Sequence, residues 1–153
     1  AGYSTDSVAQ STFMHILSLV GGGPYFDHSV KSGSYSRSGM FTDPKWNWWE
    51  LAGKTIGIIG LGNIGMKVAK IAEAFGMNVC YYSTSGTCHC KEYPCLSLED
   101  LLRQSDVVSV HAPLNERTLN LLGANEFAMM KPTFSDTVLS AAAKTPVCFL
   151  QRI

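Results

Sequence analysis

The sequence predicts an α/β domain built on a doubly wound parallel sheet, incomplete at its C-terminal side. Three observations carry that expectation. Short β-branched or aromatic runs at 55–59, 77–82 and 106–110 alternate with stretches of helical spacing, the pattern of βαβ units with right-handed crossovers. The 55–59 run is almost continuously apolar, as a strand covered on both faces is. It also leads directly into a glycine-rich turn that opens a helix. A chain of 153 residues fits one ordinary domain or part of a larger one.

In chain order, residues 4–22 read as a leading helix. Asp6 or Ser7 is the candidate cap, Val8, Thr12, Phe13, Ile16, Leu17 and Val20 fall at helical spacing, and Gly21-Gly22-Gly23-Pro24 stops it. Residues 23–50, rich in Ser, Gly and aromatics, read as a long connecting loop. Trp46, Trp48 and Trp49 at its end either pack the loop onto the domain or form a protein–protein contact. Residues 51–133 form the βαβ core. Strand Thr55–Ile59 is followed by a helix marked by Ile64, Val68, Ile71, Ala72 and Phe75 and closed by Gly76. Met77–Tyr82 is the second strand. A helix over 96–104 starts in a box, Ser97-x-x-Asp100. Asp106–Val110 is the third strand, and a further helix lies near Asn125–Met130. There is no internal repeat.

Composition excludes several classes. With 46% hydrophobic and 16% charged residues the chain is neither disordered nor of low complexity. Twelve basic residues balance twelve acidic ones, so nothing draws the chain to nucleic acid or an anionic membrane. No apolar stretch approaches the roughly 18–20 residues of a membrane span. The first basic residue is Lys31, so no cleaved signal peptide is expected. Five cysteines, an odd number mostly in one stretch, do not resemble a disulfide framework and suggest a reducing, cytoplasmic setting. Cys88, His89, Cys90 and Cys95 are zinc-type ligands, but their spacing is not that of a finger or ribbon. They read as incidental thiols on a variable loop, with no metal expected.

The informative motif is Gly60-Leu61-Gly62-Asn63-Ile64-Gly65, placed between strand and helix. Gly60 permits a tight turn, Gly62 lets a pyrophosphate approach the backbone, and Gly65 lets helix and strand pack closely. Free N–H groups of the first helical turn and the helix dipole then offset phosphate charge. About 20 residues on, where a carboxylate would bond the adenosine ribose, stands Ser83. A hydroxyl bonds a ribose without repelling a 2′-phosphate. No Arg is adjacent and Lys91 is the nearest cation in sequence. The reading therefore favours NAD, with NADP possible.

Residues 50–65, Glu50 through Gly65, resemble the start of the cofactor domain of the D-isomer-specific 2-hydroxyacid dehydrogenases. Ser105-Asp106-Val107-Val108-Ser109-Val110-His111-Ala112-Pro113-Leu114-Asn115-Glu116-Arg117-Thr118 is similar to that family's second signature, and Met129-Met130-Lys131-Pro132-Thr133 to the start of its third. The helix around Val8-Ala9-Gln10 is similar to the one leading into this domain. The likeness covers roughly 1–133. It implies a partial, Rossmann-like NAD(P)-binding domain, and in the full-length enzyme hydride transfer between nicotinamide and C2 of a 2-hydroxy or 2-oxo acid. It implies that Gly60, Gly62, Asn63, Ile64 and Gly65 line the pyrophosphate and that Ser83 sits at the ribose. His111, Ala112 and Pro113 would edge the adenine side, and Thr118 would add a hydroxyl. His111 is then a crevice residue rather than the acid–base group, which in the family lies later in the chain.

The likeness stops at Thr133. Residues 134–153 form a divergent tail in which Ala141 stands where the family's carboxylate-binding Arg is expected, and Arg152 is too far on. The later Glu and His have no counterpart, so no catalytic residue is assigned. The expectation is a fragment with a frameshifted or mispredicted end, inactive alone, marginally stable or associating through an exposed strand edge unless 137–139 covers the 107–110 strand. The family likeness also implies a homodimer. Alternative readings are a dinucleotide-sensing, corepressor-like regulator and a nonfunctional gene remnant.

Overall fold

The computed structural model describes residues 4–43, 45, 49–131, 137–140 and 148–151. Trp46, Trp48, Ala141 and Arg152 lie outside these. The element order is α1 (Thr5–Val20), α2 (Gly23–Lys31), α3 (Ser34–Ser38), β1 (Thr55–Ile59), α4 (Asn63–Ala74), β2 (Asn78–Tyr82), α5 (Leu98–Gln104), β3 (Val107–Val110), α6 (Ala124–Met129), β4 (Thr137–Ser140) and β5 (Cys148–Gln151). The sheet order is β2-β1-β3-β4-β5. β1 pairs in parallel with both β2 and β3. β4 takes the open edge of β3 in parallel, Val108 opposite Val138, and β5 returns antiparallel beside it. The 107–110 strand is therefore not an edge.

Alternation along β1 explains the continuous apolar run. Ile56 and Ile58 face one core, shared with Phe13 and Ile16 of α1 and Val68 and Ala72 of α4. Ile59 faces a second core with Leu101 and Leu102 of α5 and Val108 of β3. Each fully buried Leu or Ile contributes about 1.5–3 kcal/mol, and both faces need such residues because helices cover both. Gly57 lies on the α5 face. A Cβ there would stand 2.6 Å from Leu101 Cδ2 and collide with the Ser105 hydroxyl, so α5 packs directly on β1 backbone. Sequence patterning gives no sign of this glycine's role.

Two expectations are corrected. Residues 23–50 are not a continuous loop: Pro24 occupies the first turn of α2 and Gly22 its N-cap, at φ 62°. The Gly-Gly-Gly-Pro run does end α1, at Val20, but a second helix starts at once, because proline fits a helix's first turn. Neither Asp6 nor Ser7 caps α1; Ser4 holds that position, without a side-chain bond. Ser97 caps α5 as expected, with Asp100 N donating to Ser97 Oγ at 3.1 Å, but the reciprocal half of the box is replaced by a bond from the Ser97 hydroxyl to Asp100 Oδ2 at 2.6 Å. Trp49 packs against the first core, and Lys54 Nζ lies 5.1 Å from its ring centroid.

Cys88 and Cys95 form a disulfide, which corrects the reading of the cluster as incidental thiols. The chain returns beside β2: Tyr81 N donates to Pro94 O and Leu96 N to Tyr81 O. That pairing draws Cys95 back toward Cys88 despite their unremarkable spacing. Cys80 and Cys90 are free. Among the described residues no group of three or more His, Cys, Asp or Glu is placed to hold a metal ion, and no helix is long and apolar enough to cross a membrane.

Candidate functional site

The C-terminal ends of β1, β2 and β3 converge on a crevice of about 580 Å³. β2 lies on one side of β1 and β3 on the other, so the crevice lies at the sheet's switch point, where doubly wound folds take ligands. Gly60 contributes from β1, Ser83 from β2, and His111 and Pro113 from β3.

The three motif glycines have different physical roles. Gly60 has φ +91°, and a Cβ would stand 2.9 Å from Ala112 N, so both its conformation and its packing exclude a side chain. Gly65 faces the same strand end: its Cβ would collide with the Gly60 carbonyl oxygen and approach Ile58 Cγ2 to 3.1 Å. Gly62 differs. It caps α4 at φ −85° and ψ −160°, an extended conformation open to any residue. A Cβ there would meet nothing within 4 Å. The fold does not require glycine at 62; the space above it is open to the crevice.

No side chain caps α4. Its first-turn amides, Asn63 to Gly65, have no intrahelical acceptor, and they border the Gly62 opening. The half-buried Ile64 side chain packs against the first core, and its backbone amide is among those left free at the helix start. Ser83 lines the crevice, and its Oγ donates to Thr87 O at 2.6 Å.

Of the expected residues, Gly60, Gly62, Ser83, His111 and Pro113 line the crevice, whereas Asn63, Ile64 and Gly65 lie in the first turn of α4 beside it and Ala112 and Thr118 sit elsewhere. Ala112 is buried in the second core, 6% exposed, directly behind Gly60. Thr118 closes its own turn, donating to Pro113 O at 2.6 Å and accepting from Asn115 N at 2.8 Å. Neither lines the crevice. Ala112 points into the core, and turn formation occupies the Thr118 hydroxyl.

Tyr81, whose Oη accepts from Cys90 N and donates to Cys90 O, both at 3.2 Å, anchors the 83–95 loop and lines the crevice. Arg117 was not legible as a site residue because 32 positions separate it from Ser85. The fold nevertheless brings it there: its Nη1 donates to Ser85 O at 3.1 Å.

His111 Nε2 lies 2.7 Å from Ser109 Oγ, while its Nδ1 is buried without a partner among the described residues. Burial pushes the imidazole down to about 4 from its usual 6.5. It is neutral at pH 7, which does not suit an imidazolium acid. The folded state binds this proton less readily than the unfolded chain. Stability is therefore full above about pH 6.5 and falls as pH drops toward 4, by on the order of 2–3 kcal/mol. Urea unfolding at pH 7 and pH 4.5 is expected to show that loss, and His111→Gln to remove most of it. An unchanged pH dependence in the variant would assign the loss to other groups.

Parallel strands with helices on both faces, extended by one antiparallel edge strand, a strand–glycine–helix turn at the switch point and an open cradle above Gly62 define a dinucleotide-binding class of α/β domain. The family model for the NAD binding domain of D-isomer specific 2-hydroxyacid dehydrogenases matches residues 13–140, and the chain belongs to that family. It is 40% identical over 138 residues to the glyoxylate reductase of Aeropyrum pernix, a match covering 86% of this chain and 41% of that protein. Its fold resembles the D-lactate dehydrogenase of Aquifex aeolicus solved with NAD and lactic acid, with a TM-score of 0.72 and 36% identity over 85% of this chain and 38% of that one. An acyclic imino acid reductase solved with NADPH and D-Arg gives a TM-score of 0.78 at 29% identity, over 92% and 43% of the two chains. The chain thus spans about two fifths of the length of these relatives.

Proposed function

We propose that this chain is the cofactor-binding part of an NAD(P)-dependent oxidoreductase acting on a D-2-hydroxy or 2-oxo acid, and that the chain alone binds dinucleotide without turning substrate over. The observation that supports this is the Gly62 cradle: an opening the fold does not fill, beside the uncapped first turn of α4. In this reading the backbone from Gly60 to Gly65 holds the pyrophosphate, with Asn63 and Ile64 acting through their amides. Ser83 sits at the ribose, and His111 and Pro113 edge the adenine side. Ala112 supports Gly60 from behind, and Thr118 shapes the turn carrying Pro113. When bound, the cofactor supplies the hydride acceptor or donor at nicotinamide. No residue of the chain is assigned to substrate or to proton transfer.

The proposed setting is cytoplasmic, without nucleic-acid or membrane partners, on the balanced charge. The Cys88–Cys95 bond is the observation that opposes it. A homodimer is proposed on three exposed apolar residues, Val30 on α2 and Met40 and Phe41 just beyond α3, the last 94% exposed.

Fluorescence titration with NADH tests the central reading. Saturable binding is expected, with no oxidation of NADH in the presence of glyoxylate, hydroxypyruvate or pyruvate. Light scattering on the same sample is expected to give twice the 16.6 kDa of one chain. Absence of binding of both NADH and NADPH would overturn the assignment.

A further inference from the structure

We propose that Arg117 places a cation at the adenosine 2′ position of the crevice, so that this chain takes NADPH at least as tightly as NADH. The proposal rests on the reading of the crevice as a dinucleotide site. The end of β2, where a carboxylate would exclude a 2′-phosphate, carries the neutral hydroxyl of Ser83, which donates to Thr87 O in the loop that follows. Thr84 and Ser85 line both the main crevice and an adjoining hollow of about 470 Å³. Arg117 lines that hollow and reaches the ribose loop through the bond from its Nη1 to Ser85 O.

This arrangement positions the guanidinium without exhausting it. One of its five N–H donors meets the Ser85 carbonyl. The backbone of Arg117 is fixed in turn, its N–H donating to Asn115 Oδ1 at 2.9 Å. A planar fork held beside hydroxyl-bearing residues suits a phosphate monoester, which accepts paired charge-assisted hydrogen bonds. Glu116 lines the same hollow, and its negative charge opposes the effect. Replacing each residue singly separates the two contributions. Both residues are exposed, so the preference weakens as salt rises.

The test is a titration of the full chain with NADH and with NADPH, in wild type, Arg117→Ala and Glu116→Gln, at low and high salt. Wild type is expected to bind NADPH at least as tightly as NADH. Arg117→Ala should lower the NADPH-to-NADH affinity ratio about tenfold, and Glu116→Gln should raise it. NADH binding with NADPH more than about tenfold weaker would overturn the proposal. So would an Arg117→Ala variant whose ratio does not move. If neither nucleotide binds wild type, the dinucleotide reading itself fails and this proposal with it.

Discussion

Gly62→Val is expected to weaken NADH binding by about fiftyfold to a hundredfold, the loss of roughly 2–3 kcal/mol of charge-assisted bonding. The same substitution should leave the fold nearly intact. Gly62 has negative φ, and a Cβ there has open space. The cost to the fold is a poorer helix cap, about 1 kcal/mol, which in a domain of this size lowers Tm by about 3 °C. A valine would instead stand where a diphosphate must approach the backbone. Isothermal titration and a thermal melt on one preparation separate the two effects. Unchanged affinity in a folded variant would show that the opening above Gly62 holds no ligand phosphate.

Gly65→Ala should behave in the opposite way. Its Cβ would collide with the Gly60 carbonyl and crowd Ile58 Cγ2 at 3.1 Å. Neither neighbour has room to yield: Ile58 is fully buried, and Gly60 is held against Ala112 N. We expect a loss of about 2–4 kcal/mol, in the range of an overpacked core, and a Tm about 10 °C lower. Circular dichroism melts provide the measurement. A Tm within about 2 °C of wild type would mean that α4 and β1 are not in direct backbone contact. The two glycines lie three positions apart in one motif, yet one serves a ligand and the other serves packing.

This division shows how far residues alone could be read. The three parallel strands and α4 and α5 were legible because hydrophobic period and turn chemistry are local properties. Ile56, Ile58 and Ile59 announce a strand covered on both faces, and Ser97 with Asp100 announces a helix start. The glycine turn was legible because strand, turn and helix adjoin in sequence. The α2 and α3 helices were not, since α3 is a five-residue serine-rich turn and the proline in the first turn of α2 reads equally as a stop.

The sequence by itself determined the domain class, the family, and the bend at Gly60–Gly65, each written in neighbouring residues whose spacing enforces one local geometry. Only the tertiary structure decided which glycine has empty space above it, that Ala112 and Thr118 serve the scaffold, that Cys88 meets Cys95, and that Arg117 reaches the ribose loop. These depend on distances between chain segments brought together by packing, and such distances have no signature in the order of residues.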